Sequence, residues 1–166
     1  MICKVAKGWT FLNLRYQTAS IDDMNILIKT RIQVLRAANK LDDEVDMSVI
    51  EQESYNYYKD SLANRTHIAY LVYNDALFVG AGGVSFYRVM PTYENPTGEK
   101  AYIMNMYTVP QYRKQGIAIK MLDYLVKEAK ARNITFISLE TTAMGKPLYK
   151  KYGFVEMENE MCLPIL

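Results

Sequence analysis

From Thr10 to Gln17 the chain alternates apolar and polar side chains, the period-two pattern that gives a strand one buried face. Ser20-Ile21-Asp22-Asp23 follows, a capping serine with acids in the first turn. Met24, Leu27, Ile28, Leu35 and Ala38 then fall at helical spacing and predict a helix to about Asn39. A second helix is predicted from about Met47 to Ala63. Two β-rich runs, 67–73 and 77–88, flank Asn74-Asp75 and predict an antiparallel hairpin. The stretch 91–99, with two prolines and a glycine, reads as a loop, and 101–109 as a strand ended by Pro110. After Tyr112 a helix to about Arg132 carries Ala118, Met121, Leu122, Leu125 and Ala129 on one stripe, with Asn133 closing it. Residues 134–141 predict a strand, 146–152 a short helix stopped by Gly153, and 154–166 leave room for one or two closing strands.

The predicted order is βααβββαβα followed by β. An antiparallel first half joined to a late crossover helix makes the fold class mixed α+β, with a mostly antiparallel sheet flanked by helices, rather than a doubly wound parallel sheet. A chain of 166 residues, half of them hydrophobic, fills one core, so 1–166 is expected to be a single domain.

The sequence has no run of 18 apolar residues, and Met1-Ile2-Cys3-Lys4-Val5-Ala6-Lys7 carries charge where a signal peptide needs an apolar core. A soluble, cytoplasmic protein with no membrane partner is expected. Cys3 and Cys162 have no metal-ligand or disulfide spacing, so neither a metal site nor a disulfide framework is expected. Net charge is only +2, yet residues 111–151 hold nine Lys/Arg against three acids, leaving −4 for the remainder. Such a local basic field suits a small polyanion, and a solvated lysine-rich helix face gives the same count. No nucleic-acid partner is expected, because an RNA-binding aromatic signature is missing.

The most informative segment is Tyr107-Thr108-Val109-Pro110-Gln111-Tyr112-Arg113-Lys114-Gln115-Gly116-Ile117-Ala118. A strand ends, the chain turns through basic and small residues, and a helix opens with unpaired N–H groups and its positive dipole end exposed. Such an end binds phosphate. Gly116 lets backbone approach an anion, Ala118 keeps the next turn uncrowded, and Arg113 and Lys114 add charge.

Arg113-x-x-Gly116-x-Ala118 after a strand resembles the pyrophosphate-binding signature of the GCN5-related N-acetyltransferase (GNAT) superfamily. Leu148-Tyr149-Lys150-Lys151-Tyr152-Gly153-Phe154 resembles its second signature, and the element order agrees from Thr10 to about Leu163. The resemblance implies acetyl-CoA as co-substrate and direct transfer of its acetyl group to an amine. It implies that Met106, Tyr107 and Thr108 bind the pantetheine arm through their backbone. One of their N–H groups would polarise the thioester carbonyl, an oxyanion site. The backbone of Arg113, Lys114, Gln115, Gly116, Ile117, Ala118 and Ile119 would wrap the pyrophosphate, and Tyr149 would protonate the departing thiolate. Dimers are common in the superfamily, so a homodimer is compatible with this reading.

Two departures bear on these roles. Many relatives carry Asn-x-x-Ala before the Leu-Tyr; here Thr141-Thr142-Ala143-Met144-Gly145-Lys146-Pro147 is shorter and has no asparagine. Relatives with a glutamate base on the strand before the phosphate loop have it where this chain reads Tyr102-Ile103-Met104-Asn105. Glu140, at the end of the next predicted strand, is the candidate base, with a water chain from Asn105 or Tyr107 as the alternative. A covalent mechanism has only His67 as a possible base, and its position on a strand reads as structural. A catalytically silent module that keeps coenzyme A is the other reading these departures leave open.

For the acceptor, the superfamily uses the first two helices and the loop between them. Here Asp42-Asp43-Glu44-Val45-Asp46 would attract a polycation, whereas Arg31, set among apolar helix residues, would read a carboxylate. Asn105 and Arg31 are the candidate acceptor-binding residues. Gly80-Ala81-Gly82-Gly83 does not open a helix and reads as a strand under close approach rather than a nucleotide loop.

Overall fold

The computed structural model describes residues 12–158 and 160–163. Thr10 and Phe11 of the predicted first strand, the leader reading at 1–7 and Cys3 lie outside them. Strands β1 (Leu14–Thr18), β2 (His67–Asn74), β3 (Leu77–Arg88), β4 (Glu99–Thr108) and β5 (Phe136–Leu139) form one sheet in chain order. All neighbours are antiparallel except β4 and β5, which the crossover helix α3 (Ile117–Ala131) makes parallel. Helices α1 (Met24–Asn39) and α2 (Ser48–Ala63) separate β1 from β2, and α4 (Lys146–Tyr152) follows β5.

The cap read at Ser20 explains where the first helical segment begins, and a second, at Asp46, was not read from the sequence. The Ser20 hydroxyl accepts from the Asp22 N–H at 3.2 Å and the Asp23 carboxylate from the Ser20 N–H at 2.8 Å, a capping box around a 3-10 turn that leads into α1. Asp46 likewise accepts from the Ser48 N–H at 2.9 Å and starts α2. Met24, Leu27 and Tyr58 of these helices pack on Ala69, Leu71 and Ala81, covering one face of the sheet. The predicted stripe of α3 covers the other, with Met121, Leu122, Leu125 and Ala129 against Val72, Val84, Ala101 and Ile103.

Three elements differ from the sequence-based expectation. Helix α3 begins at Ile117 rather than just after Tyr112, because 110–112 form a 3-10 turn and Lys114 and Gly116 are left-handed. Strand β5 spans only four residues. No closing strand follows Phe154 among the described residues. The Glu156 carboxylate instead pairs with Lys146 and Lys150, each at 2.7 Å, drawing the chain back along α4 and leaving Val155, Met157 and Met161 exposed.

Two irregularities of β4 shape everything near its end. Pairing with β3 shifts between Ala81↔Tyr107 and Gly83↔Met104, so Gly82 faces two residues, and Asn105 takes a left-handed φ of 55°. This is a β-bulge. Pairing with β5 stops at Ile103↔Leu139, so β4 continues for five residues without a strand partner on that side among the described residues. A slot with unpaired backbone on one wall opens there.

Gly83 bears out the reading of a strand closely approached. A Cβ at this position would lie 2.5 Å from His67 Nε2, inside any allowed contact. Gly83→Ala is expected to lower stability by roughly 1–3 kcal/mol through overpacking, read as a lower urea midpoint at unchanged slope. A wild-type midpoint would mean that the His67 ring has room to withdraw.

Candidate active site

At the α3 N-terminus, the 3-10 turn carries the chain off β4 and the Arg113 N–H is still used, donating to Pro110 at 3.2 Å. Among the described residues, the next backbone N–H in sequence with an intrachain acceptor is that of Lys120, which donates to the Gly116 carbonyl at 3.2 Å. The N–H groups of 114–119 thus line a concave turn at the positive end of a 15-residue helix. The left-handed Gly116, φ 82°, shapes this turn, and nothing lies within 4 Å of where its Cβ would be. An anion has open space and donors here. Arg113 does not simply face that space: its Nε donates to the Thr108 carbonyl at 3.1 Å, pinning the loop to the strand end. Lys114 beside it is exposed, as Arg113 itself is.

The slot between β4 and β5 leads away from this turn. Met106 packs against the α3 core, and Tyr107 turns to the opposite face and stacks on Phe78 at 6.4 Å between centroids. The Thr108 hydroxyl is buried without a partner among the described residues. Tyr149 projects from α4 into the core and packs edge-on to Phe154, while Gly145 makes room for its ring, since a Cβ there would stand 3.1 Å from Cε2. Burial, and then the nearby Tyr102 phenol, push the Tyr149 hydroxyl up to about 12. Tyr102 in turn lies beside Glu140, the exposed residue just after β5. Tyr149, Tyr102 and Glu140 therefore meet at one rim of the slot, although they come from three elements.

The α1/α2 side of the sheet holds a second polar cluster, much of which the sequence reading left out. Register places His67, Ser85, Tyr102 and Ser138 in one row across four strands. His67 Nδ1 lies 3.1 Å from the Tyr57 hydroxyl and 2.9 Å from that of Ser85, which are 2.6 Å apart. His67 is buried, as a structural residue would be, and burial followed by the Arg31 charge lowers its pKa to about 4. One turn along, the buried Asn105 donates from Nδ2 to the Tyr58 hydroxyl at 3.3 Å, while its Oδ1 has no donor. Burial pushes Tyr58 up to about 12 against the pull of Arg31. The two candidate acceptor residues, Arg31 and Asn105, thus both flank Tyr58, which the sequence reading did not single out. A Tyr-Tyr pair on a helix that otherwise exposes its polar side was the available signal.

The acidic loop before α2 is organised from within. Arg36 donates to the carbonyls of Asp42 and Val45, the latter at 2.8 Å, and Asp46 is used as the cap. Asp43 and Glu51 instead line a groove of about 610 Å³ between α1 and α2, together with Lys29 and Arg36. With both signs of charge in it, this groove does not favour a polycation. Among the described residues no three His, Cys, Asp or Glu side chains are grouped to hold a metal ion.

The model of the acetyltransferase (GNAT) family matches residues 35–154, well over half the chain. A predicted acetyltransferase from Clostridium acetobutylicum, crystallised with acetyl-CoA, is 35% identical at a TM-score of 0.84, covering 91% of this chain and 96% of its own. A GCN5-related N-acetyltransferase from Ralstonia eutropha is 23% identical, with a TM-score of 0.83 and coverages of 92% and 99%. Glucosamine-6-phosphate N-acetyltransferase from Arabidopsis thaliana shares the fold at 15% identity, a TM-score of 0.69 and coverages of 92% and 98%. No curated protein matches the sequence. The chain belongs to the acetyltransferase (GNAT) family, and the resemblance drawn from its two motifs holds.

His67 makes this site sensitive to acid. Its folded pKa lies below the ordinary 6.5, so the stability it contributes is complete above that value and is lost as pH falls toward 4. Urea unfolding is expected to show a loss of roughly 2 kcal/mol from this group between about pH 7 and pH 5. His67→Gln should flatten that dependence, and an equal slope in both proteins would place the acid sensitivity elsewhere.

Proposed function

We propose that this protein is an N-acetyltransferase that moves the acetyl group of acetyl-CoA directly to an amine. The observation that carries the reading is the continuity of two surfaces: the run of N–H groups at 114–119 and the β4 backbone from 104 to 107, which has no strand beside it on the β5 side among the described residues. The first suits a pyrophosphate, and the second an extended amide-bearing arm that adds as a partial strand. The residues present fit the co-substrate, which when bound supplies an acetyl group activated as a thioester.

Each residue then has a distinct task. Backbone of 114–119 holds the phosphates, with Gly116 admitting them and Arg113, whose own N–H is taken by Pro110, keeping the loop on the strand. Backbone of Met106, Tyr107 and Thr108 holds the arm, and an N–H of this stretch turns toward the acyl oxygen and stabilises the charge that develops there. Tyr149 keeps its proton throughout the neutral range, because its pKa is pushed up to about 12, and gives that proton to the sulfur as the carbon–sulfur bond breaks. The acceptor ammonium must lose a proton before its nitrogen attacks. Glu140 accepts it, directly or through the Tyr102 hydroxyl beside it. Neither step needs an acyl group on the protein.

Two variants separate binding from chemistry. Gly116→Asp puts a side chain and a negative charge where phosphates are read to lie, and is expected to abolish the rise in thermal midpoint that acetyl-CoA gives the parent protein. Tyr149→Phe should keep that rise and lose about 10²–10⁴-fold in acetyl transfer, followed by release of free thiol. A full rise in Gly116→Asp would sink the donor site. An undiminished rate in Tyr149→Phe would remove the proposed acid.

A further inference from the structure

Arg31 lies on the wrong face of its helix for an ordinary surface cation. It continues the line of Met24 and Leu27, the residues with which α1 packs on the sheet, and it is half-buried there. No acid pairs with it among the described residues. Two groups that feel its charge, Tyr58 and His67, are both neutral. A guanidinium partly withdrawn from water, with no counter-charge, is a costly arrangement unless something anionic completes it.

Asn105 supplies the second observation. The bulge holds it in a left-handed conformation, Tyr58 accepts from its Nδ2, and its Oδ1 is buried without a donor among the described residues. At 7% exposure this side chain is more than nine-tenths buried, so the vacant oxygen asks for an N–H from a ligand. The Tyr58 hydroxyl neighbours both vacancies, since it takes the Asn105 amide directly and feels the Arg31 charge. An acceptor for an amine and a cation for an oxyanion thus lie about one tyrosine.

We infer that the acceptor is a small amine that also carries an oxyanion, its nitrogen set at Asn105 beside the β4 bulge and its carboxylate or phosphate at Arg31. The inference rests on the acetyl-transfer reading and narrows it to one class of acceptor. It also takes Arg31 over the acidic loop, since Arg31 is half-buried on the packed face of α1, whereas Asp42, Asp43 and Glu44 are exposed carboxylates that water already solvates. Lysine-like polycations would bring a second positive charge toward Arg31 and are disfavoured. Carboxylate and phosphate share the chemistry that a guanidinium reads, and matched probes tell them apart.

The test is thiol release from acetyl-CoA with paired amines. L-alanine is compared with L-alaninamide, O-phosphoethanolamine with ethanolamine, and spermidine serves as the polycation. At least one anionic amine is expected to exceed its uncharged partner and spermidine by tenfold or more in kcat/KM, about the effect of one charged hydrogen-bonded contact, and the better pair names the oxyanion. Arg31→Met, which suits the apolar stripe, should raise KM for that amine by about 10–100-fold and bring the paired ratio near one, while Arg31→Lys should retain part of the preference. Preference for spermidine or an uncharged amine would overturn the inference, as would an unchanged ratio in Arg31→Met. So would the absence of turnover across the panel while acetyl-CoA still raises the thermal midpoint of the parent protein. Loss of that rise in the parent protein would instead count against the donor reading.

Discussion

The parting of β4 from β5 is the constraint on which this protein's chemistry depends. Two parallel strands share four residue pairs and then separate, and a parallel pair that separates exposes backbone that must find other partners. Helix α3 makes the separation possible. It carries the chain from one strand to the other with its N-terminus at the diverging end, so unpaired helix amides and unpaired strand amides face a common space. Packing on α3 keeps them there: Met121, Leu122 and Leu125 are fully buried beneath β4, and Ile117 anchors the first turn. The site is a defect in hydrogen bonding held open by a well-packed core.

Polar residues are distributed unequally about the sheet. The α3 side is almost wholly apolar where it is buried, whereas the α1/α2 side buries His67, Asn105, Thr30 and Ser61 close to half-buried Arg31. Burial and a neighbouring cation hold His67 neutral, and burial holds Tyr58 neutral, so that face gains polarity without gaining charge. In the proposed reaction, an amine entering there would meet donors and acceptors in fixed positions, with Arg31 to choose among ligands. Tyr149 reaches the rim from the apolar side, so its proton is guarded by hydrophobic packing rather than by a hydrogen-bond network.

How much of this was legible depended on the range of the interaction. Local signals served well: the Ser20 cap, the α3 stripe, the Asn133 stop and the Gly153 end all stand where the sequence put them. The Arg113–Ala118 and Leu148–Phe154 motifs indicated the family because both are short and contiguous. Residues joined by register were hidden. His67 and Ser85 are 18 positions apart and meet only because the hairpin pairs them, while Tyr57 arrives from α2. The bulge at Asn105 had no warning beyond the tolerance of asparagine for left-handed backbone. The closing strands failed for a different reason: the apolar residues after Phe154 suggested a strand, yet among the described residues Val155, Met157 and Met161 join no sheet edge and stand exposed.

The bulge also changes parity. Ahead of it, even-numbered Tyr102 and Met104 of β4 share a face with the α1/α2 layer; beyond it, odd-numbered Tyr107 does so, and Met106 goes to α3. A regular strand one residue shorter would present the same side chains to the same two layers. Hydrophobic packing is therefore indifferent to the surplus residue and exerts no force to keep it. What it adds lies outside that packing: one peptide is withdrawn from the ladder, and the Asn105 side chain is brought to the Tyr58 hydroxyl. Substitutions in the core can drift in size and shape without touching either, whereas a single-residue deletion could leave the fold intact and erase the chemistry.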